Sequence, residues 1–394
     1  MTIFIRMTTT IIIALCIILL IAYLFDLTSS KTKIPSVILL LLLGWSVRQF
    51  TDWLHIRLPD FSPILPVLGT IGLILIVLEG SLDLELNKSK LGLIKKSFFG
   101  ALAPILALSF LLAFAFMHYG GFSFKYSLIN AIPFSVISSA IAIPSVRNLN
   151  SSDKEFVVYE SSLSDIIGVL IFNFITLNET INAVSIGQFA LQLLLIAAIS
   201  LLATLALSFL LNRIQHHIKF IPIILLVVLI YAVSKIYHLP GLVFILFFGL
   251  TLNNIDELKH IKWIEKFKPD ELNKEIIKFK EITVESVFLV RALFFLLFGY
   301  LIETNEVINK DSFVWSLAIV CFIFLFRAIQ LKLSKLSLQP LLFIAPRGLI
   351  TILLFLSIAP TQSIGLVNKS LVIQVILLTA FILMLGLVLH KPKK

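Results

Sequence analysis

The sequence predicts an all-α polytopic membrane protein of about 13 transmembrane helices, and three observations predict it. Of its 394 residues, 59% are hydrophobic and 14% charged, against roughly 25% charged in a soluble domain. Apolar runs recur along the whole chain at about 17 to 25 residues, the length with which a helix crosses a hydrocarbon core of roughly 30 Å. Strands of a membrane barrel would be shorter and would alternate in polarity.

The first run, 9–27, is long enough to span and shows no small-residue cleavage site behind a short apolar core. It reads as a retained helix rather than a signal peptide. The next spans are expected at 34–50, 63–80, 96–118, 126–147, 156–177, 186–211, 219–237, 239–253, 281–303, 312–334, 340–359 and 367–389. The third and ninth are short, and the fifth and twelfth contain prolines. With this count, 22 of the 32 Lys and Arg residues fall on one side, seven on the other and three within spans. Basic loops stay in the cytoplasm, so the N-terminus is expected outside and the C-terminus inside. A bacterial inner membrane is the expected location.

Three portions follow: 1–253 with helices 1–9, a charged cytoplasmic linker helix over 254–280, and 281–394 with helices 10–13. In the linker, Trp263 and Phe267 are spaced for one helix face. The net charge of +10 resides mainly in loop lysines, so membrane topology explains it and nucleic-acid binding is not expected. Cys16 and Cys321 both lie in apolar runs, which argues against a disulfide framework or a thiolate metal site. The histidines fall in loops or at helix ends, with the His216-His217 pair as a candidate pH sensor. No metal-ligand spacing, nucleophile elbow or Gly-rich phosphate loop occurs. No cofactor is expected, and no enzymatic activity.

Two spans are interrupted. The fifth carries Pro133, Ser138, Ser139 and Pro144 in an otherwise apolar run, so backbone hydrogen bonds are lost there. The twelfth carries Pro346-Arg347-Gly348. Freed backbone groups survive at membrane depth only where protein buries them or a wet cavity receives them. Paired interruptions in two halves of a chain point to a midplane site between inverted repeats. The sixth span brings the acids: Glu160-Ser161-Ser162-Leu163-Ser164-Asp165 opens an apolar stretch. An ionisable residue in such a place is a functional-site hypothesis by default. Ser161 and Asp165 share a helix face, whereas Glu160 is rotated roughly 140° from Asp165.

Glu160-Ser161-Ser162-Leu163-Ser164-Asp165 looks like the Glu-Ser-x-x-Asn-Asp signature of the sodium/proton exchanger branch of the monovalent cation:proton antiporter superfamily, with Ser164 where Asn is usual. Leu78-Glu79-Gly80-Ser81-Leu82, Phe294-Phe295 with Gly299, Arg327 and Arg347-Gly348 follow in family order, so the resemblance covers nearly the whole chain. It implies inverted repeats whose fifth and twelfth helices break and cross. It also implies a mobile core moving against a dimerisation domain, in a homodimer. Asp165 would alternately bind H+ and a monovalent cation, Na+ first, with K+ and Li+ as alternatives. Relatives carry Thr-Asp-Pro in the fifth-helix break; here Ser138-Ser139-Ala140 stands without the acid.

The chemistry of such a site is mutual exclusion: a partly desolvated carboxylate holds a proton or a small hard cation, and one displaces the other. Ser161, Ser164, Ser138 and Ser139 are candidate neutral oxygen ligands, against ordinary packing of small residues between helices. Glu160 is expected to form an ion pair, and the resemblance names Arg327 as its partner. Arg347 is expected to neutralise helix-end carbonyls or a carboxylate such as Glu79. Arg291, within the tenth span, must find an anion; Asp165 is a candidate, ahead of Glu285, which lies six residues from Arg291 along the same helix. Two other classes stay open: a sodium-coupled organic-solute symporter, and an intramembrane enzyme using Glu160 and Asp165 as acid and base.

Overall fold

The computed structural model describes residues 2–56, 59–85, 88–213, 219–237, 239–254 and 269–389. Among these residues the secondary structure is helical, with no strand. The helices are α1 (Thr2–Thr32), α2 (Ser36–Trp53), α3 (Ile64–Asp83), α4 (Leu91–Gly120), α5 (Phe124–Ser135), α6 (Ser139–Ser145), α7 (Ser151–Leu177) and α8 (Ala183–Arg213). They continue as α9 (Phe220–Ile236), α10 (Gly241–Asn253), α11 (Pro269–Tyr300), α12 (Thr304–Val307), α13 (Lys310–Leu333), α14 (Leu349–Leu356) and α15 (Lys369–Leu389).

Among the described residues, eight helical segments are each long and apolar enough to cross a membrane, Phe124–Ser145 counting as one; Ile13–Ser29, Phe220–Ile236 and Gly241–Asn253 are shorter apolar helices. Local chemistry sets several ends. Asn150 caps α7 by accepting from Asp153 N (2.8 Å), and Asn309 caps α13 by accepting from Asp311 N (3.0 Å), as short polar side chains do for the orphan amides of a first turn. Gly121 closes α4 at φ +70°, a left-handed conformation that favours glycine.

Two elements extend beyond their expected bounds. α1 runs over Thr2–Thr32, beyond the expected 9–27 at both ends, so Asp26 is followed by more than a turn of helix. α11 begins at Pro269, so part of the segment expected as a separate linker is continuous with the tenth span. Residues 255–268, with Trp263 and Phe267, lie outside the described residues, as do His216 and His217.

The helices pack in two groups. In one, α4 lies against α5, α7 and α13, α6 against α7, and α13 against α15. In the other, α11 lies against α2 and α3, α10 against α3 and α8, and α1 against α2. The groups meet where α3 contacts α7 and α14. Within the second group α2 and α11 approach at backbone distance: a Cβ on Gly44 would sit 2.1 Å from Leu296 O, and one on Gly299 would sit 2.3 Å from Leu41 O. Without a strong hydrophobic drive between helices in lipid, such close backbone packing at small residues is what associates them.

The two interrupted spans cross inside the first group. The fifth is α5, an extended stretch over 136–138, and α6; the twelfth is a 3-10 turn at Leu341–Phe343, an extended stretch over 344–348, and α14. Ser138 N donates to Pro346 O (2.9 Å), joining one extended stretch to the other. One backbone donor and one acceptor freed by the breaks are thereby satisfied by protein, as membrane depth requires.

Candidate functional site

α7 carries two acids to the crossing, and their surroundings differ. Asp165 is 2% exposed. Its Oδ2 accepts a short hydrogen bond from the Ser139 hydroxyl and a longer one from Ser139 N (3.4 Å). Ser139 is the first residue of α6, so the break in the fifth span is what turns that amide and hydroxyl towards α7. Asp165 Oδ1 has no hydrogen-bond partner among the described residues. Buried carboxylate oxygens are ordinarily satisfied, and an oxygen left over is an available ligand or proton acceptor.

Glu160 is 1% exposed and is paired through one carboxylate oxygen. Its Oε1 pairs with Arg327 Nη1 and accepts from Gln330 Nε2 (3.0 Å). Gln330 Oε1 in turn accepts from Arg327 Nη1 (2.9 Å), and Arg327 Nε donates to Leu341 O (3.1 Å) beside the second break. The Arg327 guanidinium also lies over the Phe156 ring, 5.8 Å from its centroid. Gly100 on α4 makes room for this network: a Cβ there would stand 2.7 Å from Gln330 Nε2 and 2.9 Å from Glu160 Oε1. Gln330 escaped sequence reasoning, although its place three residues after Arg327 puts it on the same helix face.

The serines divide. Only Ser139 reaches the Asp165 carboxylate. Ser164 Oγ accepts from Ile137 N (2.9 Å), holding the extended stretch of the fifth span to α7. Ser138 contributes its backbone to the crossing. Ser161 Oγ donates to Val157 O (2.7 Å), one turn back in its own helix.

Arg347 lies among backbone carbonyls, not beside Glu79. It donates through Nε to Phe134 O, through Nη1 to Ala345 O (2.9 Å) and through Nη2 to Ser135 O (3.4 Å). Phe134 and Ser135 end α5, so a buried cation meets carbonyls that the helix leaves unpaired. A small cavity of about 10 Å³ beside it, with Ser135, Ser164, Arg327 and Arg347 in its wall, has room for about one water.

Arg291 is a correction to the sequence reading. The candidate partner was Asp165, but Arg291 Nη2 lies 3.5 Å from Asp26 Oδ1, and the carboxylates whose field acts on it are Glu79 and Asp26. The reason is packing: α11 lies in the helix group of α1, α2 and α3, whereas Asp165 faces α6 in the other group. Asp26 falls at the end of the expected 9–27 span, and nothing in the sequence shows that α1 and α11 lie side by side.

At the C-terminal end of α7 a vestibule of about 540 Å³ opens between α7, α8 and the α9–α10 connection. Its polar wall is Asn173, Asn178, Ser185, Gln188, Gln192 and Lys235. Asp165 is not part of it.

The comparisons concern the fold and the family. Two structures of the sodium proton antiporter MjNhaP1 from Methanocaldococcus jannaschii share the fold at 19% identity. The structure at pH 8 has a TM-score of 0.65, with 97% of this chain and 96% of that one covered. The electron-microscopy structure has a TM-score of 0.69, with 98% and 99% covered. No curated protein matches the chain in sequence. Residues 15–392 match the family described as sodium/hydrogen exchanger, transmembrane. With buried acids set at the crossing of two broken helices and the match running almost end to end, the chain belongs to the sodium/hydrogen exchanger family, a family of membrane transporters rather than enzymes.

Proposed function

We propose that this cation:proton antiporter exchanges H+ for Na+ by alternating access around Asp165, with K+ or Li+ as the alternative cation. One observation carries the reading: among the described residues, Asp165 is a buried carboxylate with no basic partner, gripped by Ser139 alone and left with a free oxygen. A bare carboxylate is costly to bury, so it is stable there only with a proton or a cation on it. Occupancy by one excludes the other, and exchange follows. One such acid favours one proton per monovalent cation and electroneutral transport.

Neither the one-water cavity beside Arg347 nor the larger vestibule towards the end of α7 has Asp165 in its wall, so neither offers a solute chamber at the carboxylate, which favours an ion over an organic solute. Glu160 and Arg327 then serve as a fixed ion pair of the transport core, and Arg347 as compensation for the end of α5. We further assign the Lys- and Arg-rich side to the cytoplasm, with the N-terminus outside. The chain works as a homodimer in a bacterial inner membrane, with portions 1–253 and 281–394 joined through the 254–280 segment.

The test is reconstitution in proteoliposomes containing a pH dye, with an imposed pH gradient and addition of Na+, K+ or Li+. The wild type is expected to dissipate the gradient with Na+, and Asp165→Asn to be silent while remaining folded. If no cation moves protons in folded wild type, exchange is wrong, and sodium-coupled solute uptake becomes the reading to test.

A further inference from the structure

Asp26, near the end of α1, is shared by two arginines that belong to different helix groups. Its Oδ2 lies 3.2 Å from Arg147 Nη1 and its Oδ1 lies 3.5 Å from Arg291 Nη2. Ser36 Oγ, at the start of α2, also donates to Oδ1 (3.2 Å). Arg291 is buried on α11 and is compensated by two carboxylates, Glu79 with the larger field and Asp26 in direct contact. Arg147 is different. Its side chain is 47% exposed, and it stands two residues beyond the end of α6, in the group that contains the crossing.

α6 is therefore a short strut with a contact at each end. Its first residue, Ser139, holds the Asp165 carboxylate, and its far end is tied through Arg147 to Asp26. Seven residues of helix make about 10 Å, too short to bend between the two. The tie and the vestibule lie at opposite ends of the first group: α7 starts at Ser151, just after Arg147, and runs 27 residues, about 40 Å, to the vestibule.

We infer that Arg147 and Asp26 form a latch that holds the crossing against the α1–α11 side in the state with the vestibule open, and that releases once in each transport cycle. The inference rests on the alternating-access reading above. If the crossing shifts against α1 and α11, the far end of α6 shifts with it and the Arg147 contact breaks. Arg291 and Ser36 keep Asp26 in place for the return. The strengths suit the roles. A half-exposed ion pair biases a two-state equilibrium by only a few fold and is readily reversed; a fully buried one would hold the carrier in one state. Arg147 is thus a positioning residue, acting on Asp165 through α6.

The experiment measures which end is open, independently of ion flux. In full-length protein carrying Cys16→Ser and Cys321→Ser, a reporter Leu170→Cys lines the vestibule, and its labelling rate by a membrane-impermeant maleimide is followed in vesicles with reagent on both faces. Arg147→Gln is the main variant, because it leaves Arg291 paired with Asp26. It is expected to slow labelling roughly two- to fivefold, with the melting temperature unchanged and Arg147→Lys restoring the rate. In an Asp26→Asn background, Arg147→Gln is expected to add nothing. Equal labelling in Arg147→Gln and its parent, or the same slowing with and without Asp26, overturns the latch. The outcomes separate the two readings. A chain that moves no ions but labels in this pattern keeps the latch and loses the exchange reading, whereas robust exchange with indifferent labelling removes the latch alone.

Discussion

Glu160 and Asp165 stand five residues apart on one helix, equally hidden from solvent, and their surroundings oppose each other. Glu160 has Arg327 and Gln330 within hydrogen-bond reach. Asp165 has one serine and an oxygen with no partner. Burial alone therefore does not distinguish an exchanging acid from a structural one. Compensation does: a carboxylate whose charge a fixed guanidinium balances has no use for a mobile cation, and one lacking that balance does. The contrast predicts opposite phenotypes. Asp165→Asn is expected to abolish exchange, a loss beyond about 100-fold by dye quenching, with stability kept or raised, because an unbalanced buried charge disappears. Measurable flux in that variant would move the exchange site elsewhere.

Arg327→Ala tests the same contrast from the other side. It strands Glu160 without a cation, and breaking a buried pair in this way costs about 3–5 kcal/mol. The expected result is poor accumulation and a lowered melting temperature. Removing the acid as well, in Glu160→Gln with Arg327→Ala, is expected to recover most of the stability. If Arg327→Ala melts like wild type but loses transport, Glu160 and Arg327 belong to the exchange machinery and the contrast fails.

Ser139→Ala probes how Asp165, the acid proposed to exchange, is held. The variant removes the short hydroxyl contact to Asp165 Oδ2 and leaves the longer one from Ser139 N. A hydrogen bond to a charged group is worth about 1.5–3 kcal/mol, so the apparent cation affinity is expected to shift by roughly tenfold or more, with turnover changed less. An unchanged KM would mean that the backbone of α6 suffices to position the carboxylate.

Much of this arrangement was legible before any coordinates. Apolar length gives the spans, the prolines around Ser138 and before Arg347 give the two breaks, and an acid within an apolar helix marks Asp165. Partners were legible only where helix periodicity or the family signature constrained them, as for Glu160 and Arg327. Arg291 shows the limit. The anion in direct contact with it is on α1, at the far end of the sequence, and helical spacing carries no information about which helices come to lie side by side. The serines show another limit: one helix face can be read from the sequence, but not whether a hydroxyl turns outward or back onto its own helix.

Ser161 makes that second limit testable, and it carries the smallest expected effect. One turn from Asp165 on the same helix, it has the spacing of a ligand. In the structure its hydroxyl donates to Val157 O (2.7 Å), a common way for a membrane helix to satisfy a serine internally. Ser161→Ala removes that bond without orphaning a donor, because Val157 O keeps its place as a helical acceptor. The expected change in apparent Na+ affinity is at most about twofold, far below that of Ser139→Ala. A tenfold loss would show that the lone pairs left on the Ser161 oxygen reach the cation during the cycle. The exchanging acid would then be supported from its own helix as well as from the crossing.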